Sequence, residues 1–68
     1  MTIVKKSINV ALAQRGETAS QLAERVGMSR QGITNLKTEK ANPKIGTLTK
    51  LADAFGLSLS EFIALGEG

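Results

Sequence analysis

Apolar residues recur at helical spacing along this chain, in five short runs separated by glycines and polar breaks. In the first run Val4, Ile8, Ala11 and Leu12 share a face, with Lys5, Lys6 and Asn9 mostly off it. This predicts a helix over Thr2–Gln14 that Gly16 ends, with Ile3 and Val10 on its flank. Leu22, Ala23 and Val26 predict a second helix, Ala19–Val26. Thr18 suits its N-cap, and Gln21 three residues on completes a capping box. Gly27 falls where a helix end needs a left-handed residue, and Ser29 suits the next cap. Ile33 and Leu36 then predict a third helix from Arg30 to about Lys37, with Gly32 beside them where a larger side chain would fit poorly. Pro43 prevents continuation, so Thr38–Lys44 reads as a loop. Leu48, Leu51, Ala52 and Phe55 predict a fourth helix from about Ile45 or Gly46 to Phe55, stopped by Gly56, with Leu57 under the junction. Ser58 and Glu61 form another capping box for a short fifth helix, about Leu59–Leu65, closed by Gly66. Phe62 and Ile63 should be core. The expected fold is all-α, a compact bundle of five short helices in one domain, residues 1–68.

The third helix divides into two faces. At about 100° per residue, Ile33 and Leu36 fall together, while Arg30, Gln31, Thr34 and Asn35 fill a polar arc of roughly 140°. An ordinary solvated face favours Glu and Lys. This arc contains no acid. Its residue types carry the groups that match base edges in a duplex: Arg for guanine, Gln or Asn for adenine, the Thr methyl for the thymine methyl. A polar surface that binds nothing is the alternative. The tight turn before the arc argues against it, because such a turn sets two helices at a steep angle and leaves the second protruding.

Charge sharpens the picture. The 68 residues carry nine basic and six acidic groups, a net charge of +3. Residues 30–50 hold Arg30, Lys37, Lys40, Lys44 and Lys50 against Glu39 alone, so the positive charge lies on the third helix and the segment after it. A polyanion is the natural partner. Lys5, Lys6 and Arg15 read as a solvated face. Phe55 and Phe62 are the only aromatics and sit at core spacing, which gives no support for stacking on single strands.

Composition argues against other chemistry. The chain has no Cys and no His, which removes disulfides, thiolate metal sites, the commonest general base and the commonest metal ligand. No acids pair at a catalytic spacing; Glu17, Glu24 and Asp53 read as helix-surface charges. The glycines form no phosphate-cradling loop. No catalytic residue, metal or cofactor is expected. No apolar run approaches the ~20 residues of a membrane span, and no signal peptide is evident. The expectation is a cytosolic protein. A chain of this length buries only about 60% of its unfolded surface, and the expectation is that these 68 residues hold no sensor domain.

The stretch Thr18–Thr38 resembles the helix-turn-helix of the Cro and phage-repressor family of bacterial DNA-binding proteins. The family pattern runs Leu-Ala, three residues, Gly, five residues, Ile, two residues, Leu. Here it is Leu22-Ala23, Gly27, Ile33 and Leu36, a motif spanning about residues 19–38. The resemblance covers nearly the whole chain, since Lys50–Ile63 matches the family's fourth and fifth helices. It implies a transcriptional regulator, a Cro-like repressor, whose third helix enters the major groove of double-stranded DNA. The same resemblance implies a bacterial cell or phage-infected host and association with the nucleoid. Arg30, Gln31, Thr34 and Asn35 would then read bases. Ser29 and Lys37 would anchor phosphates at the ends of that helix. Ala19 and Ser20 would offer backbone N–H groups at the start of the second helix, with Gln21 as a cap. Many relatives carry Gln where this chain has Ala19, so a side-chain contact there is lost. Lys40, Asn42 and Lys44 match the loop that relatives set against phosphates; solvated loop residues are the alternative. Some relatives pair an Arg and a Glu at the positions of Leu12 and Lys37. Here Leu12 can only pack, which frees Lys37 to face DNA.

A homodimer on two half-sites is also implied. Relatives use the end of the loop and the last helix as the dimer surface, which points to Pro43, Ile45, Leu59 and Leu65. Leu59 and Leu65 exceed what one short helix can bury in so small a domain. Two other readings stay open. One is the antitoxin of a toxin–antitoxin pair, with a toxin protein as partner. The other is a protein-interaction module that has lost DNA binding.

Overall fold

Among the described residues, three helices end at a glycine of positive φ and three begin at a Ser or Thr side-chain cap. The computed structural model describes residues 2–38 and 40–67, so Glu39, counted in the charge balance above, lies outside the described residues. Five helices occupy them: α1 (Thr2–Arg15), α2 (Ala19–Val26), α3 (Arg30–Leu36), α4 (Ile45–Ala54) and α5 (Leu59–Glu67). The fold is an all-α bundle, as the periodicity predicts. At the start of α2 the Gln21 N–H donates to Thr18 Oγ1 at 3.2 Å, and the Thr18 N–H donates to Gln21 Oε1 at 2.9 Å. Ser58 and Glu61 repeat this box before α5 at 3.0 and 3.2 Å. Ser29 Oγ accepts the Gly32 N–H at 3.0 Å and caps α3.

The turn out of α2 is a Schellman motif. Gly27 lies at φ 71°, ψ 30°, its N–H reaches Glu24 O, and the Met28 N–H reaches Ala23 O at 2.9 Å. A side chain at that φ would be strained, whereas glycine adopts it readily. The same pair of bonds closes α1 at Gly16 and α4 at Gly56. These local devices set where the helices stop, and their apolar faces set how they pack.

Val4, Ile8, Leu22, Ile33, Leu51 and Phe62 have no more than trace exposure and form the centre of one core. Phe55 stacks near Phe62, ring centroids 6.1 Å apart. α1 packs chiefly on α5, and α2 packs on both α3 and α4. Leu12 is buried, as its inability to do anything but pack requires. Leu36 and Ile63 reach the core only in part. No helix among the described residues is long and apolar enough to cross a membrane.

Three expectations need correction. Gly66 does not close α5; the helix runs through it to Glu67, and Gly66 is buried. A Cβ there would lie 2.3 Å from Ile3 O and 2.6 Å from Ser7 Oγ, so the glycine is present to let α5 approach α1. Glu17 is not a mere surface charge: its side chain is 12% exposed and takes Arg25 Nε at 2.7 Å. Finally, Leu59 and Leu65 are not left over, since both pack partly against the core. Ile45 is the large apolar side chain left exposed among the described residues, at 65%.

Candidate nucleic-acid interface

α3 delivers the polar arc to solvent. Ile33 is fully buried and Leu36 half-buried, and this anchors one side of a seven-residue helix. Arg30, Gln31, Thr34 and Asn35 are all exposed on the other side. Gly32 is half-buried; a Cβ there would meet Met28 Cε at 3.3 Å and Ser29 Oγ at 3.4 Å, so the tight fit expected at this position is real but moderate. Gln31 and Asn35 are not independent: Gln31 Nε2 donates to Asn35 Oδ1 at 3.0 Å. Their i,i+4 spacing carries the signal for that bond, which a helical wheel alone does not display.

The residues flanking the arc also have open polar groups. The capping box engages the N–H groups of Thr18 and Gln21, and no described residue pairs with those of Ala19 or Ser20. Ser20 is exposed, while the Ala19 side chain leans on the core. These two N–H groups at the first turn of α2 have the chemistry to hold a phosphate oxygen. Ser29 is exposed and already holds the cap of α3. Lys37 follows α3 as its C-cap residue and is half-buried. Lys40, Asn42 and Lys44 are exposed on the loop, and Pro43 is half-buried between them.

Lys44 breaks a local rule. It is the N-cap residue of α4, at φ −75°, ψ 159°, with no side-chain capping bond. A lysine cannot accept the orphan N–H groups there, and its charge opposes the positive end of the helix dipole. Among the described residues, ion pairs are confined to Arg15, Glu17 and Arg25. Arg30, Lys37, Lys40, Lys44 and Lys50 thus form none with another described residue. A shallow hollow at the α1–α2 junction is lined by Arg15, Glu17, Gln21, Glu24 and Arg25 and includes nothing from α3 or its loop.

Periodicity gave no warning of Arg25. Its guanidinium holds both carboxylate oxygens of Glu17, donates to Ala54 O, and lies 5.7 Å from the centroid of the Phe55 ring. It joins the α1–α2 junction to the end of α4 and so fixes α2, the helix on which α3 rests.

Residues 10–62 match the sequence profile of the helix-turn-helix family. The chain is 36% identical over 59 residues to the HTH-type transcriptional regulator PuuR of Escherichia coli K12, and equally to that of Shigella flexneri. The aligned region is 87% of this chain but 32% of each relative, so the chain spans about a third of their length. No solved structure shows significant similarity.

Proposed function

Since the chain belongs to the helix-turn-helix family of the Cro and phage-repressor type, we propose that it is a sequence-specific, double-stranded-DNA-binding regulator of transcription. The observation that carries this is the acid-free arc of Arg30, Gln31, Thr34 and Asn35, exposed on α3 directly after the Gly27 turn. In this reading α3 lies in the major groove, and those four side chains meet base edges. The N–H groups of Ala19 and Ser20, with Ser29, Lys37, Lys40, Asn42 and Lys44, meet phosphates and set the register. The named relatives are transcriptional regulators, which favours this role over an antitoxin or an interaction module. Its place of action is the cytoplasm, with the DNA.

A helix of two turns touches too few base pairs for useful specificity alone. The proposal therefore includes a homodimer on half-sites about 34–36 Å apart, acting as a repressor by occupying its operator. Ile45, exposed beside Pro43, is its best-supported contact. Selection from random duplexes at two salt concentrations tests the proposal. The expected result is a two-fold-related site whose affinity falls steeply with salt. Recovery of no preferred duplex would overturn it. Gln31→Ala should flatten the preference at one base pair of each half-site, at a cost of about 1–3 kcal/mol; an unchanged preference there would remove Gln31 from the readers.

A further inference from the structure

We infer that Gln31 and Asn35 read the duplex as one hydrogen-bonded unit, in which Asn35 is a positioning residue for Gln31. This rests on the duplex-reading proposal above and goes beyond it. A carboxamide nitrogen carries two N–H groups, and its oxygen accepts. The bond from Gln31 Nε2 to Asn35 Oδ1, 3.0 Å long, uses one N–H of Gln31. In the proposed unit the bonded N–H of Gln31 is the one trans to its carbonyl oxygen, which leaves the oxygen and the N–H beside it, the acceptor-donor pair that adenine N6 and N7 require. Asn35 keeps both N–H donors. It therefore suits a base edge that offers acceptors, guanine N7 and O6 or thymine O4. Both side chains are exposed, so in water the bond competes with solvent and is weak. In a groove that excludes water the same bond strengthens and fixes the plane of the Gln31 amide. The base pair that Gln31 selects then depends on a residue that does not touch it.

The test is selection from random duplexes with the full chain, comparing wild type, Gln31→Ala, Asn35→Ala and Asn35→Asp, each checked for folding by thermal melting. Gln31→Ala marks the base pair read by Gln31, as the position whose preference collapses. Asn35→Ala should weaken preference at that same base pair about fivefold, the size of coupling expected between side chains in contact. Asn35→Asp retains an oxygen for the Gln31 N–H while removing both N–H donors. It should keep the preference at the Gln31 base pair, though total affinity falls. A simple loss of helix surface would not separate the two Asn35 variants. The inference is overturned if Asn35→Ala leaves the Gln31 base pair untouched, if Asn35→Asp erases that preference as fully as Asn35→Ala, or if Gln31→Ala changes no position. A wild type that selects no duplex removes the duplex-reading proposal itself, and this inference with it. A wild type that selects a site while Asn35→Ala reads it unaltered removes this inference alone.

Discussion

Gly66 and Ser7 show how much one atom decides where two helices cross. A methyl group on Gly66 would stand 2.3 Å from the carbonyl oxygen of Ile3, a backbone atom that cannot swing aside. Gly66→Ala gains helix propensity of about 1 kcal/mol, but α5 must move off α1 to admit it. A net loss of about 1–3 kcal/mol is expected in urea unfolding, and an unchanged midpoint would mean that the two helices slide freely. Ser7, on the facing side of α1, is fully buried and its Oγ has no hydrogen-bond partner among the described residues. Neither role was legible in advance. Gly66 sits after an apolar run, where glycine commonly ends a helix, and nothing nearby in sequence distinguishes a stop from a close crossing.

At the level of the helix, local chemistry and function can pull apart, and α4 is where they do. Lys44 occupies a position where Ser, Thr, Asp or Asn would satisfy an orphan N–H. Lys44→Ser should therefore stabilise the fold by about 0.5–2 kcal/mol. The same change should weaken all duplexes about equally and lower the salt slope by about one unit. A gain in melting temperature with an unaltered slope would leave Lys44 a solvated lysine. α5 has the opposite character, a cap that fits its helix. The Ser58 backbone N–H, and then its hydroxyl, hold the Glu61 carboxylate below its ordinary value of 4.5. Because the folded value is the lower one, the stabilisation is complete above about pH 5 and fades as pH falls through 4.5 and below. Glu61→Gln should accordingly flatten the acid side of the stability profile. Identical acid slopes in the two proteins would mean that the box does not bias the titration.

Across the whole molecule, a chain this short has one thin core, and a polar clamp carries part of its assembly. Arg25 reaches Glu17 on one side and Ala54 O on the other, 29 residues away. With the Glu17 side chain 12% exposed and that of Arg25 34% exposed, solvent screens the pair only partly. Arg25→Ala leaves a half-buried carboxylate with only the more distant Arg15 Nε, 3.7 Å away, and a loss of about 1–3 kcal/mol is expected by chemical denaturation. A smaller effect than that of a typical surface charge would show that water replaces the guanidinium at no cost.

The order of helices, the caps at Thr18, Ser29 and Ser58, the α2–α3 turn and the outward arc of α3 all follow from the sequence. Each depends on contacts within about four residues, and amphipathic spacing reports such contacts directly. The sequence likewise determines that the charge of α3 and its loop is positive. Tertiary structure alone decided that Gly66 is a crossing point, that Glu17 is a clamped acid, that Leu59 and Leu65 lean inward, and that Ile45 stays exposed. Those outcomes turn on which residue of a distant helix arrives alongside, and periodicity carries no record of that partner.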